Sequence, residues 1–145
     1  MNTLTFESPS VQSYLSILQS VINRMASNSA GCKTWCIALV SATIVIIADK
    51  AKPDYVLISV VPIALFFFLD SYYLGLERRF RTLYNDFIQK IHSASATIDD
   101  VFIITPETDE RKILASTLKA CISISVWPFY GLLALMLVIV RILIL

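Results

Sequence analysis

Hydrophobic residues in this chain are gathered into three long stretches, and this pattern predicts three membrane-spanning helices. The stretches cover residues 32–49, 55–76 and 120–143, the first of them somewhat short. A helix needs about 20 residues to cross a hydrocarbon layer of about 30 Å. Asp70 alone interrupts the second stretch, and the third contains Arg141 near its end. Three spans would place the two termini on opposite sides of the membrane.

Apolar residues outside these stretches recur with the period of an α-helix. Ser8 and Pro9 are a typical helix start, and the spacing that follows predicts an amphipathic helix over about 9–29. The same rhythm continues beyond the second stretch, so the second helix is expected to extend to His92. We name the two series the N-terminal stripe, formed by Val11, Leu15, Leu18 and Ile22, and the central stripe, formed by Phe80, Tyr84, Phe87 and Ile91. Both are candidate surfaces for oligomerisation or for a partner protein.

The predicted fold is an all-α membrane protein whose 145 residues form one helical domain. Its expected parts are a cytoplasmic N-terminal helix (1–31), a transmembrane hairpin (32–76), a cytoplasmic helical region (77–119) and a third transmembrane helix (120–145). Thr105 and Pro106 repeat the helix-start signal, so the third helix is expected to begin there and to run to the C-terminus. The N-terminal helix is expected to pack on the extensions of the other two.

Composition and charge support a membrane location. Hydrophobic residues make up 57% of the chain and the mean hydropathy is +0.71, whereas a soluble domain has about 45–50% apolar residues. With the N-terminus inside, nine Lys and Arg residues lie inside and three outside. The positive-inside rule therefore predicts a multi-pass membrane protein with a cytoplasmic N-terminus, in a bacterial inner membrane or a comparable one. A net charge of +1 gives no attraction to nucleic acid.

No residue pattern points to catalysis or to a metal site. His92 ends a predicted helix, where it interacts favourably with the helix dipole. Cys32 and Cys36 are separated by three residues, not by the two of redox motifs, and no histidine lies near them. The acidic pair Asp99 and Asp100 is typical of a turn or a cap. We therefore predict that the protein is not an enzyme and that it has no metal or other cofactor.

Two groups of charged residues are candidate functional positions. Asp70 lies roughly 10 Å from the inner end of the second span by helical rise, and Lys33 is expected at a similar depth on the first span. A buried charge needs a partner or water. The two residues therefore form a pair that fixes the docking of the spans, or Asp70 lines a pore in an oligomer. Arg78, Arg79 and Arg81 form a basic cluster that anchors the helix or contacts anionic lipid or a nucleotide ligand.

Pro128 lies inside the third hydrophobic stretch, directly after Trp127. A proline within a helix leaves a carbonyl unpaired and clashes with the preceding turn. We therefore expect a kink near Ile124. Such a bend serves either helix packing or gating.

Three segments carry a resemblance to known proteins: INRMASNSAGCKTWCIALVSA (22–42), LDSYYLGLERRFRTLYNDF (69–87) and SISVWPFYGLLA (123–134). In these the chain resembles a family of small, mostly uncharacterised bacterial membrane proteins found in antiphage defence loci. Its layout is also similar to the SLATT class of two-span effectors associated with nucleotide second messengers.

The resemblance implies an effector that forms a homo-oligomer when a defence partner protein or a nucleotide signal arrives. It would then permeabilise or depolarise the inner membrane, with membrane lipid as its target. The alternative is a membrane anchor or scaffold that recruits a cytoplasmic partner protein through the two stripes.

Overall fold

Most of the described chain is helical in the computed structural model, which describes residues 4–50, 56–106 and 109–144. The elements are α1 (Pro9–Lys50), α2 (Val56–His92), a short 3-10 helix (Ile98–Asp100), α3 (Glu110–Cys121) and α4 (Trp127–Ile144). No β-strand occurs in these three ranges. The prediction of an all-α protein is therefore confirmed.

Helix α1 joins two elements that the sequence pattern separated. Its 42 residues include both the predicted amphipathic helix, 9–29, and the predicted first span, 32–49. The small residues between these parts contain no proline, and Gly31 has open space around it, so nothing ends the helix there. The boundary expected near residue 31 is thus not marked by a break.

Helix α2 matches its prediction closely, because it runs unbroken for 37 residues from Val56 to His92. Pro62 lies within it without ending it. Both α1 and α2 are long and apolar enough to cross a membrane. They are antiparallel, since the beginning of α1 meets the end of α2: the ring centroids of Tyr14 and Phe87 are 4.7 Å apart.

The third predicted helix is divided into α3 and α4 by turns at 122–126. The break lies near Ile124, where a kink was expected. The prediction that Pro128 kinks a continuous helix is wrong, because the helix ends before this residue and a new one begins. Pro128 is the second residue of α4, where its missing N–H leaves no hydrogen bond unmade and its fixed φ suits a helix start. Helix α4 is an apolar helix of 18 residues, about 27 Å long by helical rise.

Two apolar cores hold the helices together. We call the first the stripe core, because it unites both stripes; its buried members are Val11, Tyr14, Leu18, Ile22, Met25, Phe80, Phe87, Ile91, Ala96 and Val101. We call the second the span core, because it joins the predicted spans; its buried members are Cys36, Val40, Ile47, Val56, Val126, Tyr130, Leu133 and Leu137. Polar side chains are buried between the two cores.

Candidate functional site

A layer of polar side chains lies between α1 and α2 where the stripe core ends and the span core begins. Ser29 and Lys33 of α1 are one helical turn apart, so they share a face. They meet Asp70 of α2, which has no exposed surface, next to the equally buried Ser71. We call Ser29, Lys33 and Asp70 the polar layer.

Lys33 and Asp70 form a direct ion pair. The Nζ atom of Lys33 lies 2.6 Å from Oδ2 of Asp70, an ion contact of poor hydrogen-bond geometry, while the Ser29 hydroxyl donates a hydrogen bond to Oδ1. The side chain of Lys33 is 21% exposed, whereas that of Asp70 is fully buried. In a single chain the carboxylate is therefore paired and closed off from water.

Helix α4 covers the polar layer from a third side. The Tyr130 hydroxyl donates to the carbonyl oxygen of Phe66 at 3.1 Å, and it is close enough to Asp70 to interact with its carboxylate. The Tyr130 ring meets Phe67 edge-on with centroids 5.5 Å apart. Ser71 is satisfied within α2, because its hydroxyl donates to the Phe67 carbonyl at 2.7 Å. Three helices thus enclose one carboxylate.

The polar layer fixes the register of the hairpin more than it adds stability. The cost of removing two charges from water offsets much of their attraction, whereas removing one partner alone costs about 3–5 kcal/mol. A slip of α1 by one turn would leave Asp70 with only one of its two partners, because Ser29 and Lys33 are themselves one turn apart. The pair therefore selects one alignment of α1 on α2.

The three arginines of the predicted basic cluster have different surroundings. Arg78 donates through Nη2 to the Ser123 hydroxyl at 2.7 Å and so holds the break between α3 and α4. Arg81 pairs with Glu77, with Nε 2.7 Å from Oε1. Arg79 lines a groove of about 290 Å³ between α2 and the segment that leads into α3, together with Thr82, Leu83, Asp86, Pro106 and Lys112. The three therefore do not form a single binding patch.

The N-terminal stripe and the central stripe pack on each other within one chain. Val11, Leu18 and Ile22 are at most 2% exposed, and Phe80, Phe87 and Ile91 at most 8%. Leu15 and Tyr84 are partly buried at the edge of the same core. For the stripes to contact another chain, this end of the hairpin would have to open.

Tyr14 joins α1 to the central stripe, although the helical spacing of apolar residues did not identify it. Its ring packs edge-on against Phe87, and its hydroxyl donates to the carbonyl oxygen of Ile103. Burial, with a smaller contribution from the negative charge of Asp100, raises the pKa of Tyr14, so the hydroxyl stays protonated and able to donate. The loop after α2 is thereby tied to α1.

The remaining candidates for chemistry do not converge. The His92 ring makes an edge contact with Phe6, with centroids 5.1 Å apart. Cys32, Cys36 and Cys121 are free thiols. Within the described ranges no group of three or more His, Cys, Asp or Glu side chains is placed to hold a metal ion.

Sequence reasoning missed Ser29 and Tyr130 as members of the site. Ser29 had a weak signal, because it lies one helical turn before Lys33 on the same face. Tyr130 had no signal in the sequence, since its role depends on which side of α4 faces Asp70. Comparisons with protein-family models, with curated proteins and with solved structures gave no match.

Proposed function

We propose that this protein is an effector of antiphage defence in the bacterial inner membrane. On a trigger it assembles into a homo-oligomer and permeabilises or depolarises the membrane. The observation that carries the proposal is the buried Lys33–Asp70 pair at the junction of the two cores. In the closed form of the protein the Asp70 carboxylate is paired and buried within one hairpin. In the open form it would face water between several chains.

We place α1, α2 and α4 across the membrane with the N-terminus in the cytoplasm. The break at 122–126 supports an inner boundary at this level, because irregular backbone is not tolerated in contact with hydrocarbon. From Trp127 to the residue before Arg141 there are 14 residues, about 21 Å by helical rise. This apolar length is shorter than the usual hydrocarbon thickness of about 30 Å.

A short apolar length supports a membrane-disturbing role. A bilayer accommodates short helices by thinning locally or by gathering them into oligomers. The aromatic residues Trp35, Tyr72 and Trp127 are exposed near the proposed inner boundary, where such side chains anchor a protein. Three helices packed on one another leave no channel within one chain, so a conducting form needs several copies.

In the proposed open state the carboxylates of several Asp70 side chains line the inner mouth of a pore. Rings of carboxylates favour cations. Opening requires Asp70 to leave Lys33, whose partly exposed side chain can extend so that its ammonium reaches the lipid headgroups. A defence partner protein or a nucleotide second messenger would supply the binding energy for this exchange.

The test is membrane potential in cells that express the protein with each candidate trigger. The wild-type protein is expected to collapse the potential. Asp70→Asn, or the combined change of Arg78, Arg79 and Arg81 to Ala, is expected to blunt the collapse while membrane insertion is retained. A normal potential under every triggering condition would rule out the proposal.

A second candidate function is a membrane anchor that recruits a cytoplasmic partner protein. It is favoured by an exposed apolar surface beside the stripe core: Ile98 is 76% exposed and Phe102 is 53% exposed. In that case Phe102→Ser would abolish partner recovery, whereas Asp70→Asn would have little effect and the membrane potential would stay normal throughout.

A further inference from the structure

Helix α3 presents its apolar face away from the rest of the molecule. Leu114 and Leu118 are 62% and 56% exposed, and Ile122 at the C-cap is 81% exposed. These residues are spaced by four, so they form one stripe along the helix. We call them the outer face of α3.

The opposite side of α3 is small and polar, and it is this side that lies on α2. A Cβ atom at Gly75 would lie 3.3 Å from the Cα of Thr117, so the two backbones nearly touch. The hydroxyls of Ser116 and Thr117 donate to the Ile113 carbonyl of their own helix, not to α2. The contact is therefore a close approach through small side chains, among which Ala120 is fully buried.

The outer face needs an occupant, because α3 precedes the break at 122–126 and so lies outside the hydrocarbon in the placement proposed above. Its charges favour one class of occupant. Arg111 and Lys119 lie on either side of the two leucines along the helix, and Lys112 adds a third positive charge, against the two acidic residues Asp109 and Glu110 at the N-terminal end. Two copies that met through this face in a parallel arrangement would bring Arg111 and Lys119 against like charges.

We propose that α3 is a membrane-docking helix whose outer face binds the anionic headgroup region of the inner leaflet. Basic residues around an exposed apolar stripe match an anionic lipid surface. The turns at 122–126 provide the pivot on which α3 leaves α2. Arg78, which bonds to Ser123 in this segment, lies at the same boundary. The inference rests on the proposed membrane placement, but not on pore formation.

The experiment places an environment-sensitive fluorophore on α3 of the full-length protein in vesicles. The probe is attached at Leu118→Cys after the three native cysteines are replaced by Ala, and helicity is checked by circular dichroism. The matched control carries the same probe at Asn85→Cys, an exposed site on α2 farther from the proposed membrane boundary. Vesicles are made of phosphatidylcholine alone or with added phosphatidylglycerol, and both contain a nitroxide-labelled lipid as quencher.

Docking predicts a blue-shifted emission and strong lipid quenching at residue 118 in anionic vesicles, with neither effect at residue 85. A basic residue near an anionic surface contributes about 1 kcal/mol, so Arg111→Gln or Lys119→Gln should lower the docked-to-undocked ratio about fivefold. High salt should have the same effect in the wild-type background.

Two results would overturn the inference. One is equal quenching at residue 118 in neutral and anionic vesicles, or none in either. The other is efficient cross-linking between residue 118 thiols of different copies, which would identify a second chain as the occupant. Dye retention in the same vesicles is measured separately. Lipid docking without leakage, with each candidate trigger present, would support this inference while counting against the proposed effector activity.

Discussion

Removing either partner of the Lys33–Asp70 pair should destabilise the hairpin, but by different amounts, because the two side chains differ in their access to water. Lys33→Met leaves the fully buried carboxylate of Asp70 without a counter-ion. Asp70→Asn leaves a neutral amide that still accepts a hydrogen bond from Ser29. It also leaves a Lys33 side chain that is 21% exposed and whose ammonium can extend toward the headgroups.

The structure sets the expected size of each effect. Removing one partner of a buried ion pair costs about 3–5 kcal/mol, and the remaining hydrogen bond from Ser29 places Lys33→Met near the lower end, about 3 kcal/mol. Asp70→Asn loses one charge-assisted contact, which costs about 1–2 kcal/mol. Replacing both partners by apolar residues, as in Lys33→Met with Asp70→Leu, removes the desolvation cost of both charges. The double variant should therefore lie within about 1 kcal/mol of the wild type.

The assay is equilibrium unfolding of the purified protein by titration of a denaturing detergent into mild micelles, followed by circular dichroism. The wild type, Lys33→Met, Asp70→Leu and the double variant form a double-mutant cycle with a large favourable coupling energy, and Asp70→Asn is measured beside them. The reasoning would be refuted if Asp70→Asn cost as much as Lys33→Met. It would equally fail if the double variant lost the sum of the two single effects.

Three further changes test other parts of the structure. Ala94 follows α2 with φ of 53°, a conformation that glycine adopts more readily, so Ala94→Gly should stabilise the protein by about 1 kcal/mol and raise its thermal midpoint. At Gly75→Ala the added methyl would lie 3.3 Å from the Thr117 backbone, which should cost about 1–3 kcal/mol and speed proteolysis before α3. The hydrogen bond from Lys90 is the main cause that lowers the pKa of Asp100 from 3.8 to about 2. Because the folded pKa is below the unfolded one, Asp100 stabilises the protein above pH 4, and this contribution disappears as the pH falls toward 2. After screening by solvent, this contribution to the free energy of unfolding amounts to about 1 kcal/mol. The free energy of unfolding of Asp100→Asn should therefore change less with pH between 4 and 2 than that of the wild type.

Periodicity predicted the faces of the helices better than their ends. The full course of α2 and the shared level of Lys33 and Asp70 followed from spacing and helical rise. The continuity of α1 did not, because small residues such as those before Gly31 neither favour nor end a helix strongly. The break at 122–126 was also hidden, since its isoleucines extend the hydrophobic run and Pro128 was read as a kink inside a span.

The rest of the site depends on how helices are aligned, and no local pattern contains that information. Ser29 belongs to the polar layer because α1 packs on α2 in one register. Tyr130 covers this layer because a new helix, α4, begins at Trp127 and its direction turns this side chain toward Asp70. The packing of the N-terminal helix on the extension of α2 was predicted and is confirmed, but the stripes were also predicted as surfaces for other chains, and within one chain they cover each other.

The most direct test of the proposed effector is the mass and symmetry of the particle extracted from the membrane with its lipids, from resting cells and from triggered cells. We predict a single chain or small assembly at rest and a closed ring of several copies after the trigger, with the Asp70 side chains at its inner mouth. Single chains under both conditions would contradict the account and favour the membrane anchor.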